Sequence, residues 1–145
     1  MEFNNITSID DAISDLHHNL TELYVNNNQL TELPLHISVL DQLLKINASH
    51  NMLPKESFSL LFPLENIQRI KFDHNLVDRV ESSYGDRTLP DTLQYLDLSY
   101  NQIREFIHIT KYPSTKLTEL YLAHNQIDQT PDDITNLSEL LILDL

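Results

Sequence analysis

The sequence has no cysteine, a single glycine and few basic residues. The lack of cysteine excludes disulfides, thiolate metal sites and a cysteine nucleophile, and it favours a reducing compartment. Because Gly85 is the only glycine, no glycine-rich loop is available to bind phosphate. No apolar run approaches the roughly 20 residues that span a bilayer, so no membrane association is expected. These absences exclude a disulfide scaffold, a phosphate-binding loop and a membrane span.

Acidic residues dominate the charge of this 145-residue chain. The 9 Lys and Arg are outnumbered by 22 Asp and Glu, which gives a formal net charge of −13. Because phosphate contacts require a basic face, we expect no nucleic-acid partner. The hydrophobic fraction of 41% is too high for a disordered acidic tail. The length suits one folded domain, which we place over residues 1–145.

One eleven-residue phrase occurs five times along the chain. The copies run over Leu20–Leu30, Leu43–Leu53, Ile67–Val77, Leu93–Ile103 and Leu117–Ile127. In each copy the first, fourth, sixth and eleventh places are aliphatic, except that Phe72 takes the sixth place of the third copy. The ninth place is asparagine in all five, at intervals of 23, 24, 26 and 24 residues. Such a period is typical of a stacked repeat protein.

Each copy divides into a strand and a return. The alternation in Leu23-Tyr24-Val25-Asn26 predicts a short strand, and a variable segment such as residues 30–40 leads back. No single unit can bury its aliphatic row, so the strands must stack in parallel and form continuous buried columns. The ninth-place asparagine lies where the strand turns, and its amide can bond to turn backbone. This predicts a ladder of Asn28, Asn51, Asn75, Asn101 and Asn125.

These phrases resemble leucine-rich repeats, whose consensus is L-x-x-L-x-L-x-x-N-x-L, over nearly the whole chain. The returns Leu33–Leu40 and Thr130–Leu137 are similar to the Leu-Pro-x-x-Ile-x-x-Leu segment of the intracellular 23-to-24-residue classes. The resemblance implies an α/β solenoid, a right-handed superhelix with a parallel concave β-sheet and irregular or short-helical convex returns. It also implies a protein-binding scaffold. Three returns depart from the pattern, at Pro63, at Glu81–Pro90 and at Ile107–Pro113, and we expect irregular or short helical turns there.

The third, fifth, seventh and eighth places are predicted to point away from the core, onto the concave face of the sheet. Lys45, Arg69 and Lys71 gather there in the second and third repeats, with tyrosines beside them that are typical of binding hot spots. The predicted binding residues are Glu22, Tyr24, Lys45, Asn47, Arg69, Lys71, Tyr95, Asp97, Tyr100, Glu119 and Tyr121. In this interpretation the central basic spot receives an acidic group of a protein partner. The alternative is a solvated sheet whose cations pair with Asp73 and Asp97.

The histidines of the eighth place raise the question of a metal. His50 and His74 fall in adjacent strands, but His124 is separated from His74 by Tyr100. We therefore expect a column of exposed histidines and no metal or other cofactor. Most other acidic residues fall in the returns, where they are expected to solvate the outer surface, although a basic partner is an alternative.

The two ends of the chain are partial repeats. Asn4 and Ile6 occupy the places of Asn28 and Leu30, and the chain closes on Leu143-Asp144-Leu145, with no polar terminal unit. An uncapped end exposes a strand edge and an apolar column, which suggests either truncation of a longer protein or end-to-end self-association.

A cytoplasmic location is predicted for the chain. It has neither a visible signal peptide nor the cysteine-rich caps that are common in extracellular members of the family. Four N-glycosylation sequons, at Asn5, Asn19, Asn47 and Asn136, would instead favour a secreted protein.

Three classes of function remain. A non-catalytic protein-interaction scaffold is the leading hypothesis. An enzyme would need a nucleophile with a base, or paired carboxylates in a cleft, and no catalytic set is visible. Asp73 and Asp97 lie in neighbouring strands but in different columns of an open face. The third hypothesis is a structural remnant of a larger repeat protein whose activity lies elsewhere.

Overall fold

The computed structural model describes residues 4–82, 88–111 and 116–145. Six short strands form one sheet, in which all neighbours are parallel and the strand order follows the chain. The strands are β1 (Glu22–Tyr24), β2 (Lys45–Asn47), β3 (Arg69–Lys71), β4 (Tyr95–Asp97), β5 (Glu119–Tyr121) and β6 (Ile142–Asp144). Each covers the third to fifth places of a phrase, and the last belongs to the closing partial copy.

The register aligns the repeats place for place. Glu22 pairs with Lys45, and Lys45 pairs with Arg69, so third places lie opposite third places across the sheet. The same holds through β6. A shift of one residue would move every side chain to the other face, so burial of the aliphatic row fixes this register.

The aliphatic places form the core. The fourth-place side chains form a column that crosses the strands on the inner face of the sheet and has almost no exposed surface. It comprises Leu23, Ile46, Ile70, Leu96 and Leu120. The sixth place adds a second buried column, in which Phe72 packs edge-on against Phe58 at 5.4 Å between ring centroids. Each fully buried aliphatic side chain contributes roughly 1.5 to 3 kcal/mol, so these columns are the main stabilising contribution.

The returns contain short helices. Three are 3-10 helices, at Asp11–Leu16, Leu35–Val39 and Asp132–Asn136, and two are α-helical, α1 (Lys55–Ser59) and α2 (Ile107–Thr110). Pro34, Pro54 and Pro131 are each the N-cap residue of a helix, in extended backbone, where the missing N–H of proline interrupts no helical hydrogen bond.

Two of the three atypical returns are described only in part. α2 lies in the Ile107–Pro113 return, and Ile109 from it packs into the core. The rest of that return, from residue 112 on, and residues 83–87 of the Glu81–Pro90 segment lie outside the described residues. Over the three described ranges, no helix has the length and apolar character that a membrane crossing needs.

The asparagine ladder connects each repeat to the one before it. In Asn75 the amide nitrogen contacts the carbonyl oxygens of Phe72 at 3.1 Å and of Ala48 at 3.0 Å. Its oxygen accepts the Leu53 N–H at 2.9 Å. The same arrangement recurs at Asn51, Asn101 and Asn125. These bonds satisfy backbone groups that stacking would otherwise bury without partners.

The opening partial copy joins the same ladder. The Ile6 N–H donates to the Asn28 side-chain oxygen at 3.1 Å, as the Leu30 N–H does to Asn51 at 3.0 Å. The Ile6 carbonyl oxygen accepts the Gln29 N–H at 2.9 Å. Ile6 therefore occupies the eleventh place of a preceding unit.

Replacement of a ladder asparagine should destabilise the fold strongly. In Asn75→Ala the buried Leu53 N–H loses its acceptor and two carbonyls lose a donor, so we expect a loss of about 3 kcal/mol. The free energy of unfolding from urea denaturation measures this. Asn66 is the matched control because its exposed amide makes one bond to the Asp41 carbonyl, and Asn66→Ala should change stability by less than about 0.5 kcal/mol. Equal effects of the two substitutions would contradict the ladder's role.

Candidate binding surface on the open face of the sheet

The open face consists of the outward third and fifth places of the six strands. In-register pairing arranges them in two columns. The third-place column is Glu22, Lys45, Arg69, Tyr95, Glu119 and Ile142, and the fifth-place column is Tyr24, Asn47, Lys71, Asp97, Tyr121 and Asp144. Ten of the eleven predicted binding residues therefore lie in the strands on one surface, and Tyr100 lies three residues beyond β4.

Lys45 is neutralised within the surface. Its ammonium nitrogen lies 2.7 Å from the Glu22 carboxylate, and both side chains are largely exposed. The hydrogen bond from Lys45 lowers the pKa of Glu22, and the same bond raises the pKa of Lys45. This cation is thus already paired, with a partner other than the two aspartates that the alternative interpretation proposed.

Arg69 and Lys71 differ from Lys45. Within the described ranges, no carboxylate lies within 4.0 Å of either cation. Asp97 is the register partner of Lys71, yet the two form no ion pair. Asp73 is engaged elsewhere, where it accepts a hydrogen bond from the Ser49 hydroxyl. The cross-strand pairs with Asp73 and Asp97 that would neutralise the basic spot are therefore not formed.

Tyr95 lies beneath the basic spot. The Arg69 guanidinium carbon is 3.5 Å from the centre of its ring, the Lys71 ammonium is 5.9 Å away, and the Tyr121 ring centroid is at 5.3 Å. Only 7% of Tyr95 is exposed. Burial, reinforced by Asp97, raises the pKa of the Tyr95 hydroxyl. The prediction that Tyr95 grips a partner directly is corrected, because its ring supports Arg69 from below.

Two other tyrosines are held by neighbouring carboxylates. Tyr24 donates to Glu22 at 2.7 Å, and Tyr121 donates to Glu119 at 3.0 Å. Both pairs join the third and fifth places of one strand, whose side chains share a face. The hydrogen bond to the Glu119 carboxylate raises the pKa of Tyr121. These bonds fix the orientation of rings that remain partly exposed on the surface.

Tyr100 belongs to a different feature, which we call the ring row. The row consists of His50, His74, Tyr100 and His124, which occupy the eighth place of successive repeats. Their rings stack with successive centroid distances of 4.0, 4.1 and 4.1 Å. All four have a positive φ between 54° and 58°, as does Asn27 in the first repeat. Tyr100 therefore lies three residues beyond the end of β4, in a left-handed turn, and its role in binding stays a prediction.

Burial at the seventh place varies between repeats. Asn26 and Ser49 are buried and Asp73 is largely covered, whereas Ser99 and Ala123 are partly exposed. The backbone pairing continues past the fifth place, since the Ala48 N–H donates to the Lys71 carbonyl and the His50 N–H to the Asp73 carbonyl, both at 2.9 Å. Neither the burial of Asn26 and Ser49 nor the stacking of the ring row has a signal in the sequence beyond the repetition of residue types.

Comparison with known proteins identifies the family. A family profile described as Leucine Rich Repeat matches residues 19–40 and 116–137, and a second with the same description matches residues 91–104. Fibromodulin of Sus scrofa is 32% identical over 112 residues, which cover 74% of this chain and 68% of that sequence. The chain belongs to the leucine-rich repeat family.

Further matches agree with this family and with the fold. Fibromodulin of Bos taurus is 34% identical over 125 residues, or 86% of this chain, and the match spans 32% of the bovine protein. The plant peptide hormone receptor RGFR1, solved in complex with RGF2, superposes over 100% of this chain and 23% of its own. The TM-score is 0.82 at 25% identity. The predicted solenoid of leucine-rich repeats is confirmed, and the similarity to these leucine-rich repeat proteins suggests a protein-interaction role.

The pairing of Lys45 with Glu22 predicts a measurable change in ionisation. In Lys45→Met the largest cause of the lowered Glu22 pKa is removed, so that pKa should rise toward its ordinary value. NMR titration of the side-chain carboxyl carbons measures it. Lys55→Met is the matched control, because Lys55 lies 2.6 Å from Glu81 and lowers the pKa of that residue instead. An unchanged Glu22 pKa in Lys45→Met would show that the pair does not form in solution.

Proposed function

We propose that the chain is a non-catalytic protein-interaction module that binds an acidic segment of a partner protein on the open face. The observation that carries the proposal is the pair of cations Arg69 and Lys71, which have no carboxylate partner among the described residues. The chain as a whole carries a net charge of −13. Two adjacent cations without carboxylate partners, in so acidic a chain, favour the binding of an acidic group from another molecule.

The orientation of Arg69 suits a carboxylate. A guanidinium that lies on the face of an aromatic ring keeps its N–H edges free, and those edges match the two oxygens of a carboxylate. Lys71 lies two residues further along β3, on the same face, and adds a second charge. Both side chains are half-buried, which strengthens their attraction for an anion relative to fully exposed cations.

The surroundings restrict what can bind. Acidic groups flank the basic spot on both sides, namely Glu22 on β1 and Asp97 with Glu119 on β4 and β5. Strands in a sheet are about 4.8 Å apart, so an acidic residue displaced by two strands would meet like charge. Repulsion of this kind contributes to specificity as much as attraction does. Tyr24 and Tyr121 offer partly exposed aromatic surface on either side for the rest of the segment.

The similarity to known proteins supports a binding role in general terms. The plant receptor whose repeats superpose on this chain was solved in complex with RGF2. The chain spans about a third of the length of bovine fibromodulin, so the role of a complete protein of this kind is part of the proposal. The absence of enzymatic activity stays a prediction.

The cytoplasmic location is likewise a proposal, supported by the cysteine-free composition. Expression of the full-length gene product in its own cells tests it, with fractionation and N-glycosidase treatment as the measurements. A secreted product that shifts on the gel after deglycosylation would contradict the proposal and assign a role to the sequons.

Selection of a random displayed peptide library on the immobilised chain tests the binding surface. We expect the selected peptides to be enriched in Asp or Glu. In the double variant Arg69→Gln and Lys71→Gln, their affinity should fall at least about tenfold, because removal of one side of a hydrogen-bonded charge pair costs about 2 to 5 kcal/mol. Fluorescence anisotropy with a labelled selected peptide gives the dissociation constants.

The matched control is the double variant Lys55→Gln and Arg79→Gln. It removes the same amount of charge, but Lys55 lies in α1 and Arg79 in the return that follows β3, so neither is on the open face. Its affinity for the peptide should stay within about twofold of wild type, since long-range effects of exposed charges are screened at physiological salt. Equal losses in the two double variants, or selected peptides without acidic residues, would contradict the proposal.

A further inference from the structure

Three potential metal ligands converge at the end of β2 and β3. One nitrogen of His50, one carboxylate oxygen of Asp73 and one nitrogen of His74 all lie within 4.8 Å of one another. The Asp73 oxygen is 3.0 Å from His74 Nδ1 and 3.8 Å from His50 Nε2. We propose that these three side chains form a binding site for a divalent transition-metal ion of the Zn²⁺ type.

The repeat places the two histidines in equivalent positions. Both occupy the eighth place, with a φ of 54° in each, on turns held by Asn51 and Asn75. Their rings are parallel to within 20°, with centroids 4.0 Å apart. Histidine is enriched among non-glycine residues with positive φ, so the backbone alone accounts for the residue type. It does not account for an aspartate oxygen that lies within 4.0 Å of both imidazoles.

Asp73 is positioned as a metal-binding carboxylate. It is the only acidic residue at the seventh place of the five repeats, and its side chain is only 16% exposed. One of its oxygens accepts a hydrogen bond from the Ser49 hydroxyl. The other oxygen faces both histidines. An outer hydrogen bond that orients the ligand in this way is a regular feature of metal sites.

The donor set fits zinc better than calcium or magnesium. Two imidazole nitrogens and one carboxylate oxygen are a common zinc set, with a water in the fourth position, whereas calcium and magnesium take oxygen ligands. The side chains of His50 and His74 are 48% and 39% exposed, which leaves room for that water. The net charge of −13 attracts a cation to the surface.

The distances require a small closure. The ligand atoms of a tetrahedral zinc ion, with bonds of about 2.0 to 2.2 Å, lie roughly 3.3 to 3.6 Å apart. The three atoms here lie within 4.8 Å of one another. His50 is the most exposed of the three side chains, and rotation of its imidazole toward Asp73 is the movement that the proposal requires. The prediction of no metal rests on the histidines alone, whereas Asp73 offers a third ligand.

Calorimetric titration of ZnCl₂ into the untagged, chelator-treated chain tests the site. We expect saturable binding of one ion per chain. His50→Ala, His74→Ala and Asp73→Asn should each weaken binding at least tenfold, and Ser49→Ala about tenfold, through loss of the orienting hydrogen bond. Thermal unfolding of each variant without metal verifies that it folds.

The chain contains a matched control. His36 and Asp11 also form a histidine–aspartate contact, at 3.3 Å, but among the described residues this pair belongs to no group of three potential ligands. His36→Ala should therefore bind zinc as wild type does. NMR gives an independent readout. Zinc should change the imidazole nitrogen chemical shifts of His50 and His74 and leave those of His36 unchanged. The proposal would be overturned if wild type showed no saturable zinc binding. It would also be overturned if the His50, His74 and Asp73 variants bound zinc with the affinity of wild type.

Discussion

Every repeat in this chain depends on one requirement, the satisfaction of backbone groups that parallel stacking removes from water. The ladder asparagines meet it in two directions. Asn51 contacts the carbonyl of Ala48 in its own repeat and that of Val25 in the preceding one, while its oxygen accepts the Leu30 N–H. Burial of the aliphatic columns supplies most of the free energy, but it is non-directional. The hydrogen bonds of the ladder are directional. Burial and hydrogen bonding together therefore allow only one register of the strands.

With the register fixed, the outward side chains are free to carry function. The open face gathers Arg69 and Lys71 over the buried ring of Tyr95, with paired acids and tyrosines around them. The ring row lies at the end of the strands and carries a separate set of polar groups. The two features share a backbone but use different places of the phrase, so each can be altered without the other.

Much of the fold could be predicted because its causes are local and repeated. Aliphatic residues at fixed places and an asparagine at the ninth specify the strands, their order and their pairing. The burial of Tyr95 could not, since it depends on how Arg69 and Tyr121 pack from adjacent strands. The burial of Asn26 and Ser49 could not either, because it depends on contacts between adjacent repeats, such as the hydrogen bond from the Ser49 hydroxyl to Asp73. The positive φ of the eighth place leaves no mark in hydrophobic periodicity.

The left-handed backbone of the eighth place also bears on how such an edge changes in evolution. Asparagine, histidine and tyrosine occur there in this chain, at Asn27, His50, His74, Tyr100 and His124. Codons for these three amino acids, and for aspartate, differ only in their first base. A single nucleotide change therefore exchanges an amide, an imidazole, a phenol or a carboxylate at this edge. Because the side chain leaves the turn without entering the core, such exchanges alter surface chemistry while the stacked repeats remain intact.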